Sequence, residues 1–277
     1  MKKALVFDID GTLITTDKRI PEETIDIVGR LHRCHDVGVV LASGRMPKSV
    51  RRICSELAVP CHLVSFNGAL AETYGDVDAS DRKILADYPV SPADVARFLS
   101  EIHALDLTVS IFGRESWIAN RDDYWMGREK RGNGFPPDRI VGDTIAAQST
   151  EEPIYKVMVR GEESQIATLQ TKLDSVVFEN VVLYSDRPTI IEITSASANK
   201  ATSVATTLEL LDIRTEEAFV FGDADNDLEM MRLFPDSVAM ANSSEAVLDA
   251  ARFRIGTNNE PSIADFLRAQ FSIHVAQ

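Results

Sequence analysis

Short apolar runs alternate along this chain with longer stretches that have helical spacing. Four runs of strand length stand out, at residues 4–7, 37–41, 62–66 and 218–221. Between them, one helix is predicted from Pro21 to about His35, and a second follows Pro47 and ends near Leu57, because proline and acidic residues favour a helix start. Strands that alternate with helices are typical of βαβ units, so the pattern predicts a parallel sheet covered by helices.

The rhythm changes in the middle of the chain, between about Arg82 and Arg187. Strand-like and helix-like pieces are mixed there and a turn-rich stretch at 132–137 interrupts them; the strand pieces lie at 107–112, 154–160 and 176–184, and the helices at 93–104 and 163–173. The strand–helix alternation resumes from Thr189. The sequence therefore predicts a second α/β domain at 81–189, inserted into a discontinuous core domain at 1–80 and 190–277.

Two carboxylates, Asp8 and Asp10, follow the first apolar run directly. In an extended chain residues i and i+2 point to the same side, so these carboxylates are expected to converge. Like charges this close are costly unless a cation, a shared proton or water compensates them, which indicates a metal site. Asp-Gly is also a common turn dipeptide, and on this segment alone a simple turn explains the pattern as well.

A second acidic segment changes that balance. The apolar run 218–221 leads into Gly222-Asp223-Ala224-Asp225-Asn226-Asp227. Mg²⁺ is commonly held by one or two carboxylates together with water and substrate phosphate. Two parallel strands that each end in acidic residues can supply such a set of ligands side by side, so the two segments together favour a metal site.

Composition and charge narrow the function. The formal net charge of −14 disfavours binding to a nucleic-acid backbone, which needs basic patches. No apolar run approaches the roughly 20 residues that span a bilayer, and the apolar stretch behind Met1-Lys2-Lys3 is too short for a signal peptide, so a cytoplasmic protein without membrane contact is expected. Three cysteines (Cys34, Cys54 and Cys61) without paired spacing predict reduced thiols.

Four segments fall at the carboxyl ends of predicted core strands, the edge at which open α/β sheets bind ligands. They are Asp8-x-Asp10-Gly11-Thr12, Ser43-Gly44-Arg45, Asn67-Gly68 and Gly222-Asp223-x-x-Asn226-Asp227. Together with Lys200, this set resembles the motifs of the haloacid dehalogenase-like phosphohydrolases, in particular their Cof-like group. The resemblance covers 1–80 and 190–277 and implies a Rossmann-like parallel-sheet core with an inserted α/β cap domain.

The resemblance also implies roles for the acidic residues. Asp8 is expected to be the nucleophile that forms an aspartyl-phosphate, and Asp10 the general acid and base. Mg²⁺ is expected between the Asp8 side chain, the Asp10 carbonyl and Asp223, with Asp227 steadying these ligands from just outside.

The substrate phosphate has its own expected ligands. Ser43 and the backbone amides of Gly44 and Ile9 are expected to donate hydrogen bonds to it, Lys200 to supply positive charge, and Asn226 to hold the geometry. Judged alone, Lys200 fits a solvated lysine at a helix start better, and it is the other motifs that favour a catalytic role. The chain departs from the family pattern at Ala201 and Ala241, where glycine is usual, and in the turn at 258–262.

The expected function is that of a Mg²⁺-dependent phosphatase for small phosphorylated metabolites, sugar phosphates first, acting as a monomer or weak homo-oligomer. A phosphomutase on the same scaffold and a non-catalytic phosphometabolite-binding protein remain as alternatives. In the inserted domain, Trp117, Tyr124 and Trp125 either stack on a sugar ring or belong to the core, which is commoner. Likewise, the basic residues Arg128, Lys130 and Arg131 form either a solvated helix face, which is commoner, or a second anion contact.

Overall fold

The computed structural model describes residues 3–73, 82–102, 105–147, 152–185 and 187–272. The chain divides into two compact units. Unit 1 comprises Met1–Gly44, Val50–Asp87 and Asn199–Gln277, and unit 2 comprises Arg45–Ser49 and Tyr88–Ala198. Each unit has its own sheet.

The sheet of unit 1 has eight strands within the described residues, in the order β14-β13-β12-β1-β2-β3-β4-β5. The six strands from β14 to β3 are parallel, and β4 and β5 add an antiparallel edge. In chain order the elements are β1 (Lys3–Phe7), α1 (Glu22–His35), β2 (Val37–Ala42), α2 (Pro47–Leu57, whose first residues fall in unit 2), β3 (His62–Ser65), β4 (Leu70–Glu72), β5 (Ile84–Asp87), α6 (Lys200–Leu210), β12 (Ala218–Gly222), α7 (Leu228–Leu233), β13 (Asp236–Met240), α8 (Glu245–Ala250), β14 (Phe253–Ile255) and α9 (Ser262–Gln270). The prediction of a parallel sheet between helices is confirmed.

Both faces of this sheet are buried, which explains why its strands are continuous apolar runs. Along β1, Leu5 and Phe7 belong to the hydrophobic cluster that also contains side chains of α1, α2 and α9. Ala4 and Val6 point to the opposite face and join the cluster that contains side chains of α6, α7 and α8. The period of two residues along a strand therefore feeds two separate cores.

The connectivity reverses direction at β1. From β1 the chain proceeds to β2 and β3 on one side, and β12, β13 and β14 lie on the other side. Such a reversal leaves a crevice at the carboxyl ends of the two central strands, where ligands bind in open α/β sheets. Asp8 and Asp223 each follow one of these strands directly.

Unit 2 contains a six-stranded, mainly antiparallel sheet in the order β10-β11-β9-β6-β7-β8, again within the described residues. Its elements are α3 (Pro92–Ile102), β6 (Thr108–Gly113), β7 (Trp117–Ala119), α4 (Tyr124–Asn133), β8 (Arg139–Ile140), β9 (Ile154–Arg160), α5 (Glu163–Leu173), β10 (Val181–Tyr184) and β11 (Ile190–Ser195). Phe98 of α3 and Leu169 of α5 share a core with Val109 and Val157 of the sheet, so these helices cover one sheet face.

The unit boundaries lie further along the chain than the sequence indicated. Strand β5, which the sequence analysis assigned to the inserted domain, pairs with β4 and extends the sheet of unit 1. Strand β11, assigned to the core domain, pairs with β9 and β10 in unit 2. An apolar strand such as Ile190–Ser195 has the same pattern in either sheet, and only its pairing decides the unit.

The sequence pattern did not define the bounds of short elements in unit 2 such as β7 and α4. Strand β7 has only three residues. Helix α4 is capped at its start by the Asp123 side chain, which accepts a hydrogen bond from the Met126 amide, and at its end by Gly134 with φ 82°. The sequence of α4 is predominantly polar, so its bounds depend on the two capping residues and not on an apolar pattern.

Candidate active site

The two central strands of unit 1 bring distant acidic residues together. Phe7 of β1 lies beside Phe221 of β12 in parallel register, and the Asp8 amide donates a 2.9 Å hydrogen bond to the Phe221 carbonyl. Residues just beyond both strands therefore emerge at the same sheet edge. Asp8, Asp223 and Asp227 each offer a carboxylate oxygen there, and these oxygens all lie within 4.8 Å of one another.

Lys200 lies against this three-carboxylate cluster. Its Nζ is 2.5 Å from Asp8 Oδ1 and 2.6 Å from Asp227 Oδ1, and all three residues are buried. Burial alone would lower the pKa of Lys200, but the charges of Asp227 and Asp8 outweigh that effect, so its pKa is raised. The alternative of a solvated lysine is wrong for this structure.

The start of α6 places the Lys200 ammonium group. Asn199 caps the helix, since its side chain accepts a hydrogen bond from the Thr202 amide. The loop after β3 packs against this start at Gly68, where an added Cβ would lie 2.4 Å from the Asn199 carbonyl oxygen. Gly68 has φ 97°, so both its conformation and its surroundings require glycine.

The cluster holds more negative than positive charge when its carboxylates are ionised. Burial raises the pKa of Asp8 well above its usual range, and the charges of Asp227 and Asp223 add to this against the opposing effect of Lys200. Burial likewise raises the pKa of Asp223 to about 6. One lysine thus leaves the group undercompensated, and oxygen ligands of this kind suit a hard divalent cation. The residues present therefore fit the expected metal.

Asp227 organises the loop that carries Asp223. While its Oδ1 accepts from Lys200, its Oδ2 accepts hydrogen bonds from the backbone amides of Asp223 at 3.0 Å and Ala224 at 3.2 Å. The carboxylate is fully buried. These contacts are those of a residue that holds the loop, although its position within the cluster also makes it a potential ligand.

Asp10 lies outside the three-carboxylate cluster found among the described residues. Its Oδ1 is 2.6 Å from Lys18 Nζ, and 42% of its side chain is exposed. Strand β1 ends at Phe7, so the alternation expected of an extended chain stops before Asp10. The expected convergence of the Asp8 and Asp10 carboxylates in one cluster is therefore not found, since Asp10 pairs with Lys18 instead.

The loops after β2, β3 and β12 meet at Asn67. The Ser43 carbonyl accepts a 3.0 Å hydrogen bond from the Asn67 amide, and Asn226 Nδ2 donates to Asn67 Oδ1 at 3.0 Å. Gly44 packs against the same asparagine, since a Cβ there would lie 3.2 Å from Asn67 Oδ1. Asn67 therefore joins three segments that the sequence analysis expected to meet, although it assigned this residue no role.

Comparison with known proteins identifies the family of this chain. The model of the protein family described as haloacid dehalogenase-like hydrolase matches residues 5–267 of the chain. The chain belongs to the haloacid dehalogenase-like hydrolase family. The resemblance drawn from the motifs is thereby confirmed.

Relatives and solved structures match along nearly the whole length of this hydrolase. It is similar to the 5-amino-6-(5-phospho-D-ribitylamino)uracil phosphatase of Bacillus subtilis, with 27% identity over 277 residues and 97% of each protein covered. The expected phosphoric monoester hydrolase is confirmed at the level of the family, because this relative is named a phosphatase.

The fold also matches solved structures. A haloacid dehalogenase-like hydrolase from Bacteroides thetaiotaomicron superimposes with a TM-score of 0.88 at 21% identity, covering 98% of this chain and 100% of that one. A sugar phosphatase of subclass IIB superimposes with a TM-score of 0.77 at 19% identity, covering 98% and 100%. These likenesses confirm the predicted α/β fold with a parallel-sheet core.

Sequence reasoning missed three residues that support the site of this hydrolase. Thr12 Oγ1 donates to Asp223 Oδ1 at 2.6 Å. Asn242 Nδ2 donates to the Gly11 carbonyl at 2.9 Å and lies 3.5 Å from Asp223 Oδ2. The backbone amide of Asn258 donates to Asn242 Oδ1. All three stand in segments that the motif comparison had already singled out, which was the available signal.

The aromatic and basic candidates of unit 2 separate into two groups. Trp117 is fully buried, stacks on Phe112 and donates to Ser110, so it belongs to the core as the commoner alternative held. Tyr124 is 68% exposed and contacts Trp125 edge-on. The basic residues lie along α4, where Arg128 packs over Trp125, Lys130 pairs with Asp122, and Arg131 is exposed.

None of the helices in the described ranges is both long enough and apolar enough to cross a bilayer.

Proposed function

We propose that this hydrolase is a Mg²⁺-dependent phosphatase that cleaves phosphate monoesters of small metabolites through an aspartyl-phosphate on Asp8. The observation that carries the proposal is the buried contact of Lys200 with both Asp8 and Asp227, beside Asp223 at the switch point of the sheet. A structural ion pair needs only one carboxylate. Three carboxylates around one lysine, two of which (Asp8 and Asp223) have raised pKa values, suit a centre that takes up a cation and a phosphate.

The nucleophile is Asp8. Its carboxylate oxygen attacks phosphorus while the bond from phosphorus to the ester oxygen breaks. Asp10, in its protonated form, gives its proton to the departing ester oxygen. The resulting carboxylate of Asp10 then takes a proton from water, the water oxygen attacks phosphorus, and the Asp8–phosphorus bond breaks to release inorganic phosphate.

Asp10 can take part once its pair with Lys18 opens. The two side chains are 42% and 54% exposed, so solvent screens the pair and the cost of breaking it is at most about 1 kcal/mol.

The remaining site residues bind and orient the phosphate. Lys200 neutralises charge on the phosphate. Ser43 and the backbone amides of Gly44 and Ile9 donate hydrogen bonds to it. Asn226 holds the surrounding loops together through its hydrogen bond to Asn67. The side chains of Asp8 and Asp223 and the Asp10 carbonyl would hold Mg²⁺, with Asp227 steadying the loop. The ion would neutralise phosphate oxygens and keep the phosphoryl group aligned for displacement.

Sugar phosphates and related polyol phosphates are the proposed substrate class. Among the similar proteins, one is named for a phosphoribitylamino compound and another for sugar phosphates. A cytoplasmic location and a monomer or weak homo-oligomer belong to the same proposal.

The test compares phosphate release from p-nitrophenyl phosphate, and from a panel of sugar phosphates, with Mg²⁺ present. We expect Asp8→Asn to lower the rate by at least about a thousandfold, since it removes the nucleophile. The control is Asp17→Asn, because Asp17 is exposed and does not belong to the three-carboxylate cluster. Full activity of Asp8→Asn would contradict the nucleophile assignment.

Two other outcomes would redirect the proposal. An isomeric phosphate ester with little inorganic phosphate would identify a phosphomutase. Tight binding without turnover of any ester in the panel would identify a binding protein.

A further inference from the structure

Cys54 and Cys61 meet in unit 1, although their spacing matches no motif. Cys54 lies in the last turns of α2, and Cys61 immediately precedes β3. The chain reverses between them, where Ala58 adopts φ 56° and its amide bonds back to the Cys54 carbonyl at 3.2 Å. Both thiols then approach one backbone oxygen, that of Val59, each with an Sγ–O distance of 3.3 Å.

The two thiols are chemically unequal. A hydrogen bond from Cys61 lowers the pKa of Cys54 despite the opposing effect of burial. Burial raises the pKa of Cys61 well above its ordinary value, and the neighbouring Cys54 raises it further. Cys54 is also the more accessible, with 7% exposure against 0% for Cys61. Both thiols are buried, and a thiol of lowered pKa beside a second thiol is the arrangement of an attacking and a resolving cysteine.

We propose that Cys54 and Cys61 form a peroxide-sensitive dithiol site that closes to an intramolecular disulfide. The Cys54 thiolate attacks one peroxide oxygen, the O–O bond breaks, and Cys54 becomes a sulfenic acid, while the departing hydroxide takes up the proton that Cys54 lost on ionisation and leaves as water. The Cys61 sulfur then attacks Cys54 Sγ, the S–O bond breaks, and a second water carries away the hydroxyl group and the Cys61 proton. Two thiols and one hydrogen peroxide thus give one disulfide and two waters.

The disulfide would join the end of α2 to the start of β3, at the end of the strand remote from Asn67. The proposal is therefore independent of the phosphatase activity, and neither result bears on the other. The third cysteine, Cys34, is exposed and is replaced by serine in the experiment so that only Cys54 and Cys61 can react.

The experiment treats the folded, reduced Cys34→Ser protein with hydrogen peroxide, then alkylates it with iodoacetamide under denaturing conditions without reductant. Digestion with a glutamate-specific protease cuts after Glu56 and separates the two cysteines. We expect both thiols to be lost together, the two peptides to stay linked until reduced, and the protein mass to fall by two hydrogen atoms.

Removing the resolving thiol provides the matched control. In Cys34→Ser/Cys61→Ser we expect dimedone to trap a sulfenic acid at Cys54, with no link formed. Cys61→Ala replaces this variant if circular dichroism shows loss of structure, since alanine brings no hydroxyl into the core. The proposal is overturned if both thiols of the folded Cys34→Ser protein can still be fully alkylated after peroxide treatment. It is also overturned if Cys54 is oxidised while Cys61 can still be alkylated.

Discussion

The Nζ of Lys200 lies 2.6 Å from Asp227 Oδ1, and neither side chain is more than 2% exposed. This pair joins the first residue of α6 to the loop after β12, and the same ammonium group reaches Asp8 after β1. A buried charge network of this kind is stable only while every member has a partner.

Lys200→Met should therefore destabilise the fold as well as abolish activity. The variant leaves Asp8 and Asp227 buried without their counter-charge, and we expect a loss of about 3–5 kcal/mol in the free energy of unfolding. Urea unfolding followed by circular dichroism measures it. Lys83→Met removes an exposed lysine and should leave the midpoint unchanged. Equal midpoints for Lys200→Met and the wild type would show that the carboxylates do not need this lysine.

Removing Asp223 should abolish stabilisation by Mg²⁺. A ligand that binds only the folded state stabilises it, by about 2.7 kcal/mol at a hundred times its Kd. We expect Mg²⁺ to raise the Tm of the wild type, chelation to reverse the rise, and Asp223→Asn to show little or none. Asp225→Asn is the matched control, because Asp225 is exposed and bonds Ser244 instead of the cluster. An undiminished Tm shift in Asp223→Asn would place the ion elsewhere.

Asn242 should act as a positioning residue for the same centre. It ties the Gly11 carbonyl to the Asp223 carboxylate without belonging to the three-carboxylate cluster. Loss of such a supporting contact commonly costs 10–100-fold in metal affinity or activity, approximately. We expect Asn242→Ala to need correspondingly more Mg²⁺ for its Tm shift and its activity, with an unchanged KM for p-nitrophenyl phosphate at saturating Mg²⁺.

Asn259→Ala serves as the control for that variant, since Asn259 accepts a hydrogen bond from the Thr16 amide and does not contact the cluster. A general effect of removing an asparagine from this region would alter both variants alike, and that result would rule out a specific role for Asn242.

The sequence predicted the strands of unit 1 well because buried parallel strands are uninterrupted apolar runs, such as Val37–Ala42 and Ala218–Gly222. It also predicted which loops meet, since parallel strands end at one edge. The side-chain orientation of Asp10 was not predictable, because a turn with Gly11 at φ 88° follows the strand and no periodicity applies within it.

The contacts of individual side chains could not be predicted from the pattern of apolar and polar residues either. Nothing in the sequence indicates that Thr12 bonds to Asp223, or that Cys54 meets Cys61 across a left-handed residue. Such contacts depend on backbone geometry at single positions, whereas hydrophobic patterning reports only averages over whole elements.

His62 should make the stability of unit 1 depend on pH. Burial lowers its pKa, and its Nδ1 is buried without a hydrogen-bond partner among the described residues. The unfolded chain, with an ordinary pKa of about 6.5, therefore binds a proton more readily than the fold, so stability falls as the pH drops below that value. Asp8, whose pKa is raised, contributes with the opposite sign.

The test therefore compares the wild type with His62→Gln. The quantity measured for each is the change in its urea midpoint between pH 7.5 and pH 5.5. We expect the wild type to lose more stability on acidification than His62→Gln, with the exposed His35→Gln variant behaving like the wild type. Parallel pH profiles for the wild type and His62→Gln would show that His62 is protonated as readily in the fold as in the unfolded chain.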